Sequence, residues 1–303
     1  MPKAAARWRR APVAAGLFYP ARPETLRAQL AEFAANAPPP TPAGMLATDA
    51  AIGASANRAA PAPIRGAICP HAGYLYSGQL TWWTLARCPW TPTVLILAVN
   101  HRHPRPPAWA IWPEGAWQTP LGEVPVDAEL AAVLQAALPE WTASESSHLR
   151  DHSTEVLLPF LQELSARADR PTPRIVPVCP FLNREDEPMA PEIGRRLAAV
   201  LATWREPVLV VASNDMTHFA PADIAQAQDR KALAPIARLD AAGLLTTARR
   251  ERVTMCGAQP VATMLSAVRE LGATQGDLVG YTHSGVVSGD WNEVVAYAGV
   301  VCR

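Results

Sequence analysis

The segment VLILAVNHRH, residues 94–103, indicates the fold of this chain. Its apolar first half is typical of a strand buried on both faces of a parallel sheet, and it ends where Asn100 and His101 begin. Two other segments share this design: IRGAICPHAGY ends its apolar run before His71, and PVLVVASNDMTHF ends its run before Asp215. Because ligands of open α/β sheets bind beyond the carboxyl ends of the strands, the three segments together predict a site.

The rest of the chain alternates short apolar runs with segments of helical periodicity. Strands are predicted at residues 64–69, 94–99, 108–112, 174–179, 208–212 and 294–302. Helices are predicted after Pro23 and at residues 76–88, 127–138, 153–166, 193–201, 222–245 in two pieces, and 259–271. This alternation predicts an α/β fold over residues 1–303: a single domain with a central, mostly parallel sheet and helices on both faces.

Two segments stand outside this pattern. Residues 1–12 contain Arg7, Arg9 and Arg10 and are expected to form a loose basic arm. Residues 38–63 are rich in Ala and Pro, nearly uncharged and without periodicity, which is typical of a mobile surface insertion.

The composition excludes several classes of protein. The chain has 303 residues, with 27 Lys and Arg against 27 Asp and Glu, and this balance argues against a nucleic-acid-binding protein. Its five cysteines include no CxxC pair, so neither a disulfide framework nor a structural zinc site is expected, and a reducing cytoplasm fits. Since no apolar run approaches the length of a membrane span, we expect a cytoplasmic protein that binds no membrane.

Four residues near the predicted strand ends are candidates for chemistry. His71 and His101 are each consistent with a structural histidine, but if their strands are neighbours, about 5 Å apart, both imidazoles can reach one metal ion. Asp215 and His218 fit a general acid/base histidine oriented by a carboxylate. They fit equally well a helix cap next to a surface histidine.

Two further candidates lie next to predicted helices. Cys256 precedes the helix predicted from Gln259, where the helix N-terminus is expected to lower the pKa of a thiol and favour the thiolate. An inert buried cysteine is the alternative. His152 lies at a helix start that Asp151 or Ser153 can cap, so a capping arrangement with an exposed histidine also fits.

Several motifs together resemble those of the Memo family, which includes the Memo-like protein B of the AmmeMemoRadiSam system. They span almost the whole chain in family order: AGLFYP at 15–20, PHAGYLYSG at 70–78, LAVNHRH at 97–103, DHSTEVLLPF at 151–160, SNDMTH at 213–218, Cys-Gly at 256–257 and SGDWNEVVAYAG at 288–299. The chain departs from the family pattern at Asn100, where the family has Ser, and at Arg102, where it has the second His of a pair.

The resemblance implies a fold similar to that of LigB-type extradiol dioxygenases, which bind Fe(II) with two His and one Glu. In Memo members a Cys takes the position of this Glu. The implied metal ligands are His71, His101 and Cys256. Two imidazoles and one anionic ligand leave open positions for substrate and O₂, and the softer thiolate favours Fe(II) while admitting copper or zinc.

The remaining implied site residues are His152, Asp215 and His218, with His218 at the acid/base position. The resemblance therefore implies a mononuclear non-haem iron oxygenase-like enzyme that acts on a catechol-like or modified aromatic substrate, either a small molecule or a peptide. Radical SAM and Amme-domain proteins are the implied partners. Two alternatives stay open: a metal-binding or redox partner protein without turnover, and a hydrolase with Cys256 as nucleophile and His218 as base.

Overall fold

The computed structural model of the protein describes residues 8–36, 63–102, 107–181 and 187–303. The strands in these ranges are β1 (Arg9–Arg10), β2 (Gly66–Cys69), β3 (Thr93–Leu97), β4 (Trp109–Ile111), β5 (Ala116–Thr119), β6 (Gly122–Pro125), β7 (Trp141–Ala143), β8 (Arg174–Pro180), β9 (Val208–Ser213), β10 (His218–Ala220), β11 (Gly276–His283) and β12 (Val294–Cys302).

The helices in the same ranges are α1 (Pro23–Ala35), α2 (Gln79–Leu85), α3 (Ala128–Ala137), α4 (Ser146–Leu149), α5 (Leu158–Arg167), α6 (Met189–Thr203), α7 (Ala222–Ala237), α8 (Ala241–Arg250), α9 (Ala258–Glu270) and α10 (Gly285–Ser288). A π-helical turn, Tyr74–Gly78, leads into α2, and a 3₁₀ turn, Glu155–Leu157, leads into α5. None of these helices is long and apolar enough to cross a membrane.

The main sheet is mixed and has the strand order β10-β12-β2-β9-β3-β8-β4-β7, with β11 paired to β12. Its four central strands, β2, β9, β3 and β8, are parallel to one another, and antiparallel β12 and β4 flank them. The prediction of an α/β fold with a large, mostly parallel sheet is confirmed.

The side chains of β3 show why this sheet is buried on both faces. Leu95 and Leu97 belong to one hydrophobic cluster, together with α6 to α9, whereas Val94 and Ile96 belong to a second cluster, together with α1, α2 and α5. Successive side chains of a strand point to opposite faces, so an unbroken apolar run supplies both layers of the core.

The order of the central strands differs from the one that was considered for the two histidines. Strands β2 and β3, which lead to His71 and His101, are not neighbours, because β9 lies between them. Two strand spacings are roughly 10 Å. The two histidines therefore meet through the loops that follow the strands, with the end of β9 beneath them.

The expected loose basic arm is wrong for its described part, residues 8–12. Arg9 and Arg10 form β1, which pairs in parallel with β5. Arg10 is fully buried because its guanidinium forms an ion pair of 2.6 Å with Glu155 and donates to the carbonyl of His148 at 2.9 Å. The rest of the arm, residues 1–7, and the expected insertion up to residue 62 lie outside the described residues.

Candidate metal centre

Three side chains converge beyond the carboxyl end of the central strands. His71 follows β2, His101 follows β3, and Cys256 precedes α9. The potential ligand atoms of these residues all lie within 4.8 Å of one another. Two donors bound to one ion at metal–ligand distances near 2.0–2.3 Å lie at most about 4.6 Å apart, so small side-chain adjustments suffice to hold an ion. The expected convergence is present, while the role of the residues as ligands stays a prediction.

The hydrogen bonds of His71 leave one ring nitrogen suited to a metal. Its Nδ1 lies 2.8 Å from Oγ of Ser213, and that hydroxyl donates to the carbonyl of Ser153 at 2.7 Å. Because a serine hydroxyl carries a single proton, Nδ1 of His71 must be the donor and Nε2 carries the free lone pair. Burial, together with the neighbouring histidines, also lowers the pKa of His71 well below its usual value, so the ring is neutral at pH 7.

The ring of His101 is held by a carboxylate. Its Nδ1 and its backbone N–H lie 2.9 and 2.7 Å from Oδ2 of Asp151. Burial opposes ionisation of Asp151, but hydrogen bonds from His101 and Ser153 outweigh it and hold the pKa of the carboxyl well below its usual range. The carboxylate therefore accepts from Nδ1 and leaves Nε2 of His101 available. Carboxylate–histidine pairs of this kind orient many metal-ligating histidines.

Cys256 is positioned by contacts with the loop that follows β9. Its backbone N–H donates to the carbonyl of Asp215 at 3.1 Å, and the N–H of Asp215 points at Sγ of Cys256 at 3.2 Å. The N–H of Gly257 donates to Oδ1 of Asn214 at 2.8 Å. A Cβ at position 257 would lie 2.7 Å from the carbonyl oxygen of Ser213, so the close approach of the two loops requires this glycine.

The expectation of a thiolate at Cys256 in the metal-free protein is wrong. Burial and the nearby charge of Asp215 raise the pKa of the thiol well above its usual value, against the opposing effect of backbone hydrogen bonds. Without a bound cation Cys256 is a thiol at pH 7. A metal ion supplies the compensating positive charge that makes the thiolate favourable.

Asp215 is a buried carboxyl next to His71. Its Oδ1 accepts from the backbone N–H of His71 at 2.8 Å, and its Oδ2 lies 3.8 Å from Nε2 of the same residue. Burial raises the pKa of Asp215 to about 7, although the hydrogen bond from His71 favours the charged form. The predicted pairing of Asp215 with His218 is replaced by this contact with His71.

His218 is the first residue of β10 and presents one free ring nitrogen. Its Nδ1 lies 2.7 Å from the carbonyl of Met216 and 3.0 Å from that of Thr254. Both partners are acceptors, so Nδ1 carries the proton and Nε2 is a potential base. Burial lowers the pKa of His218 despite these two hydrogen bonds, and His101 is near enough for its charge to contribute to the lowering.

His152 joins the site by ring stacking. Its ring lies 4.9 Å from that of His101, centroid to centroid, at an angle of 15°, and 4.1 Å from that of Phe18. Burial lowers the pKa of His152 to about 4, with a contribution from the positive charge of Arg102 that the charge of Asp151 opposes. The residue is therefore a neutral ring on the wall of the site rather than the exposed histidine beside a helix cap.

Sequence reasoning missed two residues that fix the candidate ligands. Asp151 was predicted only as a possible helix cap, and Ser213 only as part of the motif at residues 213–218. The local signal for Asp151 is its position before a histidine, which does not distinguish a cap from a partner of His101. No local signal marks Ser213, because its partner His71 is 142 residues away.

Comparisons of the sequence with known proteins find relatives along almost the whole chain. The sequence profile of the Memo-like protein family matches residues 10–301. The chain is 37% identical over 302 residues to a MEMO1 family protein of Methanopyrus kandleri, covering 97% of this chain and 99% of the relative. It is 35% identical over 292 residues to a MEMO1 family protein of Methanosarcina barkeri, covering 96% of this chain and 99% of the relative. A protein of the same family from Methanocaldococcus jannaschii is 32% identical over 303 residues, with 96% of this chain and 98% of the relative covered. The chain therefore belongs to the Memo-like protein family.

Proposed function

We propose that the protein is a mononuclear non-haem iron enzyme that oxidises a catechol-like or modified aromatic substrate, small molecule or peptide, with O₂. The observation that carries the proposal is the convergence of His71, His101 and Cys256, whose ligand atoms lie within 4.8 Å of one another. Two neutral imidazoles and one thiolate are donors that Fe(II) accepts. When bound, the iron supplies a centre at which an aromatic diol and O₂ can be brought together and exchange electrons.

The chain's own residues prepare the ligands. Ser213 holds Nδ1 of His71 in its protonated form, and Asp151 does the same for Nδ1 of His101. In both rings Nε2 is then the nitrogen that is left for a metal ion. Rings fixed in this way lose little conformational freedom on binding, which favours affinity.

His218 is the proposed acid/base residue. Its Nδ1 proton is held by the carbonyls of Met216 and Thr254, so only Nε2 can exchange a proton with a substrate. Because its pKa is below the usual value for histidine, the ring is neutral at pH 7 and can accept a proton from a phenolic hydroxyl. It returns that proton in a later step.

His152 and Phe18 have a role in shaping the site. The ring of His152 stacks on that of His101, and the ring of Phe18 contacts His152, so the two side chains offer an aromatic wall for an aromatic substrate. The wall also limits the access of water to the metal centre, which strengthens its electrostatic interactions.

The hydrolase alternative is disfavoured by the state of Cys256. A nucleophilic cysteine needs a thiolate, whereas burial raises the pKa of this thiol. The structure gives no hydrogen bond between Cys256 and His218 among the described residues, so no base is paired with the thiol; its histidine neighbour is His71, at 3.4 Å.

The test uses full-length protein loaded anaerobically with Fe(II). We expect one iron per chain and saturable O₂ consumption with at least one member of a panel of catechols, measured with an oxygen electrode. The Cys256→Ala variant should lose both, whereas Cys88→Ala, a matched change at another partly buried cysteine, should keep both. Stoichiometric iron without O₂ consumption for any catechol or aromatic peptide would support the metal-binding protein without turnover and contradict the oxygenase.

A further inference from the structure

A cleft of about 410 Å³ adjoins the candidate metal centre. Its polar lining comes from Arg102, Arg150 and His152, and its apolar lining includes Val13, Leu17 and Phe18. The cleft borders the metal centre through His152, whose ring stacks on His101 at 4.9 Å. Its volume lies within the range of small-molecule sites, about 300–1,000 Å³. We call it the arginine cleft.

The two guanidinium groups of the arginine cleft have no acidic partner in the described part of the chain. Arg102 and Arg150 are both exposed, and neither belongs to an ion pair there, whereas many of the other described arginines do. These paired arginines are Arg9, Arg10, Arg27, Arg167, Arg174, Arg195, Arg196, Arg205, Arg249, Arg250 and Arg303. The cleft therefore carries uncompensated positive charge.

Two carboxylates that are close to Arg150 in the sequence are engaged by groups other than Arg102 and Arg150. Asp151, adjacent to Arg150, uses its oxygens for His101 and for the backbone N–H of Ser153 at 2.8 Å. Glu155 is fully buried and pairs with Arg10. Two lining arginines without an acidic partner in the described residues, near carboxylates that other groups engage, favour an anionic ligand.

The apolar side of the arginine cleft is held in a defined position. Leu17 is 82% exposed and Val13 is 41% exposed, which leaves their side chains available for contact. Their segment is tied to the fold by Glu155, whose carboxylate accepts from the backbone N–H of Val13 at 2.9 Å and from the hydroxyl of Tyr19 at 2.6 Å. The cleft thus combines two arginines with a supported apolar lining.

From these features we infer that the arginine cleft binds the anionic group of the substrate, a carboxylate or phosphate attached to an apolar body, through Arg102 and Arg150. The planar guanidinium group matches both anions in two-point hydrogen bonding. This inference rests on the proposed function, because it takes the ligand to be the substrate of the proposed enzyme. An anion held in the arginine cleft places the attached aromatic body beside His152 and the candidate metal centre. The substrate is then a catechol-like or modified aromatic compound that also carries a carboxylate or a phosphate group.

Isothermal titration of the full-length protein with three probes tests the inference. The probes are benzoate, phenylphosphate and benzyl alcohol, which share an aromatic body and differ in charge. At least one anion should bind with one-to-one stoichiometry and at least tenfold more tightly than benzyl alcohol. The preference between benzoate and phenylphosphate identifies the anion as carboxylate or phosphate.

Variants link the binding to the cleft. Arg102→Gln and Arg150→Gln should each weaken anion binding on the order of tenfold, and Arg102→Lys should weaken it less, because it keeps the charge. Arg238→Gln is the matched control, since Arg238 is also exposed and belongs to no ion pair in the described residues, but lies at the end of α7. Its anion affinity should equal that of the wild type. Circular dichroism confirms that each variant is folded.

Two results would overturn the inference: equal affinity for benzyl alcohol and both anions, or anion binding that is unchanged in both glutamine variants. Titrations of metal-free and zinc-loaded protein separate this inference from the proposed function. Zinc binding without anion selectivity would contradict the anion site in the arginine cleft but not the metal site. Anion binding that depends on Arg102, in a protein that binds neither iron nor zinc, would contradict the proposed metalloenzyme but not the anion site.

Discussion

Nε2 of His71 lies 3.4 Å from Sγ of Cys256, although 185 positions separate the two residues in the chain. Since Nδ1 of His71 donates to Ser213, Nε2 faces the thiol as an acceptor. The contact is that of a neutral imidazole with a protonated sulfur. A metal ion at this position has to replace the thiol proton. The number of protons released on metal binding therefore tests the proposed site.

The first prediction is that zinc or Fe(II) binding at pH 7 releases about one proton from Cys256. Burial raises the pKa of Cys256, so the metal competes with a bound proton and the affinity rises as the pH rises. Titration calorimetry in two buffers of different ionisation enthalpy measures the protons released. Asp215, with a pKa of about 7, adds a fraction of a proton to the release by the wild type. Cys256→Ala is expected to show neither metal binding nor proton release. Metal binding by this variant with the same proton release as the wild type would exclude Cys256 as a ligand.

The second prediction separates a metal ligand from an acid/base residue. The His101→Ala variant should lose bound iron together with any activity, because it removes one of the three proposed ligands. The His218→Ala variant should keep its iron and lose a factor of about 10²–10⁴ in rate. Metal analysis of the purified variants is the measurement. Equal iron loss in both would refute the assignment of His218 as a base that does not bind the metal.

The third prediction concerns Ser213, which fixes the tautomer of His71. In Ser213→Ala the Nδ1 proton loses its acceptor and the ring can rotate or change tautomer, so metal affinity should fall by about 10–100-fold. Ser266→Ala is the matched control, because it removes another hydroxyl bonded to a carbonyl, that of Pro191 at 2.7 Å. Competition with a chromophoric chelator gives both affinities. Equal affinities in the two variants would show that Ser213 does not orient His71.

The central part of the fold and the outline of the site could be predicted from local sequence. The apolar runs before His71 and His101 have a length, composition and polar ending that depend only on adjacent residues, and they predict buried strands whose loops meet at one edge. The position of β9 between β2 and β3 could not be predicted in this way. Strand order is decided by the packing of segments more than 100 positions apart.

The same limit explains the errors at Arg10 and Cys256. A cluster of arginines near a terminus is typical of a solvated arm, and the partner that buries Arg10 is 145 positions away at Glu155. Cys256 does precede a helix, as predicted, but burial and the charge of Asp215 raise its pKa, against the opposing effect of backbone hydrogen bonds. Local rules describe the backbone around a residue well, whereas the environment of a buried charge is set by the tertiary fold.

The last prediction follows from that buried ion pair. Glu155 also accepts from the backbone N–H of Ala14 at 2.8 Å, so it neutralises Arg10 and holds the segment that carries Phe18 against His152. Glu155→Gln leaves Arg10 as an uncompensated buried charge and should lower the free energy of unfolding by about 3–5 kcal/mol.

Urea denaturation followed by circular dichroism measures the effect of Glu155→Gln. Glu129→Gln is the control, since Glu129 pairs with Arg205 in an exposed ion pair that solvent screens, and its unfolding midpoint should not change measurably. Combining Arg10→Met with Glu155→Gln should recover part of the lost stability, because Arg10→Met removes the unpaired charge. If the double variant is less stable than Glu155→Gln alone, the hydrogen bonds of Arg10 to the carbonyl groups, rather than its charge pairing, hold the N-terminal segment in place.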